Sequence, residues 1–558
     1  MQFEHSIGCL LLALATLGAA SPGPAPGSPP AAPAPPGPAA PAAATPEPTT
    51  EQALERWLAA LGGRAAVESV AATYVWARIE GPSVQGRSEE WNTARGQLRS
   101  VADFNTFRRV TGFDGARGYL LDENRKRHEL SGPALEILLT EVYLASGSHF
   151  FPGRRPGAVR YLGPEARDGQ DFQVLEAAAA GGRPVRVYLD ARTWLPARLC
   201  WVEDADTSWT HYANYRAVDG VQEAFELESW TSGVAGRTRI QVEALQHLRQ
   251  PPPPEFFEPP PDTLRDFTFA PGADSAEVPF ELWGDHLVVL AESHRQEGLP
   301  FLLDTGAEAT HLDAGLAAAW RMTGEVPLQV QGTAGSQAGA LVALDTLSLP
   351  GVALLNQRVV ALNLAELRPD GRPLAGVLGY DFFSRFVVRL DFERRVMTLY
   401  DPARDRMPDE RPGAAAQVLP LTLDAFAPRV QATVDDSIPV RLQLDTGAPA
   451  SVVFFRGFWS AHPSVGGGAA ARAVETAGVG GRSVNRQARF AALAVGRFRV
   501  EGPQGMFRES EAGTSRSRED AGLLGMGFLR RFELTLDYGR RQLGLRPNRF
   551  FGLPEPAP

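Results

Sequence analysis

Apolar and polar residues alternate in short runs over most of the chain, with turn-forming residues between the runs. Thr73-Tyr-Val-Trp-Ala-Arg-Ile, Ser88-Glu-Glu-Trp, Gln97-Leu-Arg-Ser-Val, Pro184-Val-Arg-Val-Tyr-Leu, Arg198-Leu-Cys-Trp-Val and Thr238-Arg-Ile-Gln-Val are examples. A period of two sustained over this length predicts a large antiparallel sheet. Two stretches depart from it. Leu54, Trp57, Leu58 and Leu61 fall at helical spacing, in a short helix that Thr50 would cap and Gly62-Gly63 would stop. A second helix is expected from about Pro133 to Ala145. Residues 50–249 are therefore expected to form one antiparallel β domain with helices.

The flanking segments lack such patterning. Residues 21–49 are almost wholly Pro, Ala, Gly, Ser and Thr, which cannot build a core and predict a disordered tether. Before them, Ile7 to Leu17 form a short apolar run ending in Gly18-Ala19-Ala20. That reads as a secretory signal over residues 1–20, and hence as a periplasmic or secreted bacterial protein. Gln250-Pro-Pro-Pro-Pro and Glu258-Pro-Pro-Pro mark residues 250–275 as a stiff linker. No later stretch has about 18 consecutive apolar residues, so no further membrane span is expected. After loss of the signal Cys200 is the sole cysteine, which excludes an intrachain disulfide. A net charge of −10 argues against a nucleic-acid partner.

The candidate chemistry lies in the C-terminal half. Asp304-Thr305-Gly306 follows the apolar strand Pro-Phe-Leu-Leu, and Asp445-Thr446-Gly447 follows Val-Arg-Leu-Gln-Leu. The two motifs are 141 residues apart, and each has an apolar-apolar-Gly triplet well downstream, Val377-Leu378-Gly379 and Leu523-Leu524-Gly525. The parallel continues through matching strands, Val388-Arg-Leu-Asp-Phe-Glu-Arg-Arg and Leu534-Thr-Leu-Asp-Tyr-Gly-Arg-Arg. With each residue type near its average usage, one tripeptide recurs by chance about once in several thousand positions. Two copies with the same distant partners indicate a repeated lobe. Two carboxylates sharing one site cannot both ionise, so one keeps a proton while the other serves as base.

On these motifs the chain resembles the retropepsin-like aspartic proteases, including bacterial periplasmic members, over residues 276–404 and 415–547. The resemblance implies two tandem closed β lobes and a dyad of Asp304 and Asp445 activating water against a peptide bond. It implies that Thr305 and Thr446 lock the two loops by hydrogen bonds and that Gly306 and Gly447 let the backbones approach. Gly379 and Gly525 would pass beside them, and Gly-rich turns at Gly332, Gly335, Gly478 and Gly480 are candidate flap tips. No metal and no cofactor are expected. The histidines show no His-Glu-x-x-His spacing, and no Gly-x-Ser-x-Gly elbow is present. The halves differ at two places: Asp381 stands where the second half has Gly527, and Glu308 where it has Pro449.

The N-terminal layout, with Gly112-Phe-Asp-Gly115 before Gly118-Tyr-Leu-Leu-Asp, resembles the outer-membrane lipoprotein carrier family. That implies a half-open barrel around a helix, with a lipid or lipoprotein as partner; the other reading is a sheet closed on its own helix without cargo. The expected fold is therefore mainly β, an antiparallel half-barrel with helices followed by two retropepsin-like lobes. The expected function is that of an exported aspartic endopeptidase acting on peptide or protein substrates, as a monomer that contains its own pseudo-dimer. The alternative is a lipid- or lipoprotein-binding periplasmic protein with a non-catalytic, protease-like clamp.

Overall fold

The computed structural model describes residues 47–555 except 82–83, 204–205, 233–235, 263, 325, 333–334, 404–406, 408–414, 425, 466–470, 511–516 and 518. The signal expected at residues 1–20 and the tether as far as residue 46 lie outside the described residues. So do Thr333 and Ala334, between two of the candidate flap glycines. The fold is mainly β, and no described helix is long and apolar enough to cross a membrane.

The first helix, Thr50–Ala60, is capped by Thr49 and not by Thr50. The Thr49 hydroxyl accepts from the Gln52 N–H at 3.2 Å, and the Gln52 side chain accepts from the Thr49 N–H at 3.0 Å. This reciprocal capping box needs Gln three residues after the cap, a spacing that only Thr49 satisfies. The Thr50 hydroxyl instead accepts from the Tyr161 N–H.

A 13-stranded antiparallel sheet follows. Ala72–Glu80 pairs with Gln85–Thr93 on one side and with the central strand Thr238–Leu248 on the other, and the edges are Arg127–Glu129 and Gly157–Arg167. The helix Gly132–Ala145 connects those two edge strands in sequence. Its residues Leu138 and Val142 pack with Leu98, Phe113 and Leu120, and Ile137 and Tyr143 with Trp57, Leu175 and Trp201. One helix thus fastens both halves of a curved sheet, giving the half-barrel.

Each C-terminal lobe repeats one knot of strands. In the first, Gln296–Leu303 runs parallel to Gly376–Leu378, which pairs antiparallel with His311–Asp313. In the second, Ile438–Leu444 runs parallel to Gly522–Leu524, which pairs antiparallel with Val452–Phe454. The lobes join edge to edge where Val387–Asp391 pairs antiparallel with Phe532–Asp537. One sheet therefore runs through both lobes, and one large apolar cluster spans the two.

The proline-rich stretch is strapped down along its length. Phe256 packs edge-on against Trp91, Phe257 is fully buried, and Arg127 donates to the Pro260 carbonyl. Phe267–Phe269 then pairs with Val352–Leu362 of the first lobe. The half-barrel touches both lobes. Asn124 and Arg358 exchange two hydrogen bonds, Ser131 donates to the Leu423 carbonyl, and Arg183 bridges Glu136 and Glu519.

Candidate active site

Each Asp-Thr-Gly turn hangs at the C-terminal end of its parallel strand. The Asp304 N–H donates to the Leu378 carbonyl at 3.0 Å and the Asp445 N–H to the Leu524 carbonyl at 2.9 Å. The turns interlock through their threonines. The Thr305 hydroxyl accepts from the Thr446 N–H at 3.0 Å and donates to the Leu444 carbonyl at 3.0 Å. The Thr446 hydroxyl accepts from the Thr305 N–H at 3.1 Å and donates to the Leu303 carbonyl at 2.8 Å. Both threonines are fully buried. Four buried bonds related by a pseudo-twofold axis thus fix the distance between the loops, since unpairing any of them strands a polar group without water.

The glycines explain the closeness. A Cβ on Gly306 would lie 2.7 Å from the Asp445 Cγ, and one on Gly447 would lie 2.9 Å from the Asp304 Cγ. Each carboxyl therefore sits over the opposite glycine, in space a side chain would fill. Within its own turn each carboxylate accepts one backbone N–H, Gly306 to Asp304 and Gly447 to Asp445, both at 2.8 Å. Gly379 and Gly525 pass behind: a Cβ on either would fall within 2.5 Å of a backbone oxygen, of Ala309 or Ala450.

Burial raises both carboxyl pKa values, because the charged form loses its water. For Asp445 the neighbouring Asp304 charge adds to burial and carries it to about 8. The two groups titrate as one unit that holds a single proton over a wide range. A pair in that state can take a proton from water and give one to a carbonyl oxygen.

The candidate flap glycines come together. The hairpin of Val326–Gln331 and Ser336–Leu349 and the hairpin of Arg472–Gly478 and Gly481–Arg489 meet at their tips. A Cβ on Gly332 would lie 2.1 Å from the Val479 carbonyl oxygen, and one on Gly480 would lie 2.4 Å from the Gly335 oxygen. Gly480 has φ +92°, a region open to glycine. Each lobe thus contributes one hairpin to the contact.

The divergence between the halves has a structural cause. In the first lobe Thr310 donates to the Asp381 carboxylate at 2.7 Å, and Arg385 is held by Asp266 at 2.6 Å. In the second, Ser451 stands where Thr310 does and donates to Glu555, whose carboxylate lies 3.6 Å from Arg531. A Cβ on Gly527 would meet the Ser451 N at 2.6 Å, so no side chain fits there. The C-terminal tail supplies the carboxylate that Gly527 lacks. Glu308 is buried at the junction with the half-barrel, in a cavity of about 50 Å3 lined also by Asp122, His128, Tyr380 and Asp381.

Three contributors escape a reading of the motifs. Glu555 and Asp266 lie outside the repeated segments, with nothing local to mark them. Arg508 is buried close enough to Asp445 for their charges to interact; burial lowers its guanidinium pKa to about 10 and the Asp445 charge opposes that. Its place at the end of Gln504–Arg508 reads as an ordinary strand terminus.

A second cavity, of about 390 Å3, lies in the half-barrel. Its walls include Trp57, Leu61, Leu144, Phe150, Trp201 and Leu227, with Glu90 and His149 among them. Burial pushes the Glu90 carboxyl up to about 7 and holds the His149 imidazole down at about 3, so both favour the neutral state. Among the described residues no cluster of His, Cys, Asp or Glu is arranged to hold a metal.

The fold and the interlocked turns define an aspartic-protease-type pair of lobes. The model of the aspartyl protease family matches the chain twice, over residues 293–382 and 430–528, one match in each lobe. No curated protein matches the chain. Among solved structures it is similar to an aspartic proteinase from Irpex lacteus, at 13% identity over 50% of this chain and 99% of that one, with a TM-score of 0.34. It is similar also to a LolA superfamily protein from Nitrosomonas europaea, at 12% identity over 38% of this chain and 98% of that one, with a TM-score of 0.28. Basic 7S globulin from soybean aligns at 11% identity over 49% of this chain and 94% of that one, with a TM-score of 0.32.

Proposed function

We propose that the chain is an exported aspartic endopeptidase whose two lobes form one active site within a single polypeptide. The observation that carries this reading is the pair of buried carboxyls, Asp304 and Asp445, each seated over the other's glycine. In the mechanism, the ionised member takes a proton from water while the protonated member donates to the scissile carbonyl oxygen. The water attacks the carbonyl carbon directly, with no covalent enzyme intermediate. Thr305, Thr446, Gly306 and Gly447 hold the spacing, Gly379 and Gly525 back the loops, and the hairpins tipped by Gly332, Gly335, Gly478 and Gly480 exclude water over the substrate. Export to the periplasm or exterior rests on the apolar run of residues 7–17, and action as a monomer rests on both dyad members lying in one chain.

The test is digestion of a peptide library from acidic to mildly basic pH, with and without a transition-state-mimic inhibitor of aspartic proteases. Asp304→Asn and Asp445→Asn should each lower cleavage at least about 10²- to 10⁴-fold, the share general acid–base catalysis supplies. Full activity in either variant sinks the shared dyad. The cavity of about 390 Å3 favours a second reading, a lipid- or lipoprotein-binding protein in which the lobes act as a clamp. Co-purified lipid together with no cleavage of any library member would favour that reading.

A further inference from the structure

The two walls of the cleft between the lobes differ in chemistry, and strand register matches them position by position. In the first lobe Val377 pairs with His311, His311 with Val360, and Val360 with Leu341 of the hairpin. In the second, Leu523 pairs with Val453, Val453 with Met506, and Met506 with Gln487. Leu378 and Leu524 point into the cluster that spans the lobes, so alternation turns Val377 and Leu523 to the opposite face. There they join Ala307 and Ala448, each three residues past its aspartate. Two residues further along that face, Leu362 opposite Gly339 in the first lobe is matched by Arg508 opposite Asn485 in the second. Leu328, Val330 and Leu341 of the first wall lie in the apolar cluster shared with the half-barrel. The matching positions of the second wall are Val474, Thr476 and Gln487.

Arg508 is buried, with its guanidinium over the Phe455 ring at 5.7 Å from the ring centre, and it is close enough to Asp445 for their charges to interact. Asn485 beside it is buried too. Its Nδ2 donates to the Thr476 hydroxyl at 2.7 Å and the Ser483 hydroxyl at 3.2 Å, while its Oδ1 has no partner among the described residues. A buried acceptor left unpaired is costly, and a peptide drawn beneath this hairpin brings N–H donors to it.

We propose that Arg508 is a specificity-determining residue, selecting peptides with an acidic side chain beside the scissile bond by pairing with that carboxylate on the wall of the second lobe. This rests on the endopeptidase reading and names its substrate class. A guanidinium has five N–H donors in a planar fork, so it can take a carboxylate bidentately in addition to the neighbours it already has. A carboxylate brought to the dyad without a cation would meet the negative charge of the ionised aspartate, and Arg508 offsets that repulsion. An amide side chain of the same shape gains from neither effect. Even lowered to about 10, the Arg508 pKa leaves the guanidinium charged from acidic to mildly basic pH. Because Leu362 stands at the matching place in the first lobe, the preference falls on one side of the scissile bond only.

The experiment uses the full chain and pairs of peptides that differ only in Glu against Gln, scanned across the positions on both sides of the scissile bond. At a position on one side, kcat/KM should favour Glu at least about tenfold, the lower end of what a hydrogen bond between charged groups contributes. The preference should fade as pH falls through the glutamate pKa of about 4.3. Arg508→Gln should abolish it, and Arg508→Lys, which keeps the charge and loses the fork, should retain part of it. A residue that only tuned Asp445 would change the rates of both peptides alike and leave their ratio intact. Equal rates for Glu and Gln at every position in the wild type overturn the proposal, as does a preference that survives Arg508→Gln. Binding to the Asp304→Asn variant separates the two readings. If the wild type cuts no peptide, the endopeptidase reading fails, while the ratio of Kd values for the Glu and Gln peptides, with and without Arg508→Gln, still decides the selection.

Discussion

At the scale of single residues, the dyad's shared proton has a thermodynamic consequence. Its raised pKa values mean that the folded chain keeps a proton which the unfolded chain releases above the ordinary carboxyl pKa of about 4. Stability from this source is therefore full below about 4 and falls as pH rises through the window ending near 8. Unfolding by urea, followed from pH 4 to 8, should show a slope in the wild type that is shallower in Asp445→Asn; equal slopes would refute the shared proton. Asp381 and Glu90 are raised in the same sense but are common to both proteins, so the difference isolates the dyad. Cleavage should fade on the alkaline side as the shared proton leaves. A second residue-scale case is Glu555. Removing one partner of a buried ion pair costs about 3–5 kcal/mol, because the other charge is left uncompensated. Glu555→Ala should approach that loss in urea unfolding, and a loss under about 1 kcal/mol would mean that Arg531 is held well enough by the Gly527, Phe551 and Leu553 carbonyls. The two aspartates were legible in the sequence because Asp, Thr and Gly are each demanded by the backbone beside them. Glu555 was not, since a carboxylate borrowed from a chain terminus leaves no periodic trace.

At the scale of elements, the strands and hairpin turns could be read from alternation and from glycine clusters, and the Asp-Thr-Gly loops from their repetition. Which elements touch could not. Nothing in Gly332-Thr-Ala-Gly335 or in Val479-Gly480 says that the two tips meet, because tip contact depends on the angle between lobes. That angle is fixed far away, where Val387–Asp391 pairs with Phe532–Asp537. The contact makes Gly480 unusually constrained. An alanine there would carry an unfavourable positive φ, worth about 1–3 kcal/mol, and would press on the Gly335 backbone. Gly480→Ala should therefore weaken flap closure and reduce kcat/KM by about tenfold or more, at about 1.4 kcal/mol per factor of ten. The loss should appear with peptides long enough to reach under both flaps. If kcat/KM is unchanged for such peptides, the tips do not close together during turnover. The strand Phe267–Phe269 shows another limit of the sequence: three residues are too few to display a period, and only their pairing with Val352–Leu362 assigns them to the lobe.

At the scale of the molecule, the half-barrel and the first lobe share buried apolar area. Ala77, Ile79, Phe104 and Phe225 of the half-barrel belong to the same cluster as Leu302, Leu328, Val360 and Val377 of the first lobe. From the sequence, each set reads as the inner face of its own sheet, and alternation alone cannot tell a core from an interface. The polar contacts around the cluster also span the junction. His128 is paired with Asp122 at 2.7 Å and hydrogen-bonded to the Tyr380 hydroxyl at 3.1 Å, and the Tyr380 N–H donates to Ala307 at 2.8 Å, next to the first Asp-Thr-Gly turn. The half-barrel is thus tied by three residues to the loop that carries Asp304. An interface this apolar, rather than a polar linker joint, ties the units into one folding body. The lobes expressed from residue 251 onward should therefore expose Val326, Leu328, Leu341 and Val360 to water. Exposed patches of that kind bind hydrophobic dyes and associate. The truncated protein should bind anilinonaphthalene sulfonate, elute as aggregates on size exclusion, and regain neither property of the full chain at low protein concentration. A monomeric truncation with the wild-type melting temperature and undiminished cleavage would show that the half-barrel rests on the lobes without supporting them.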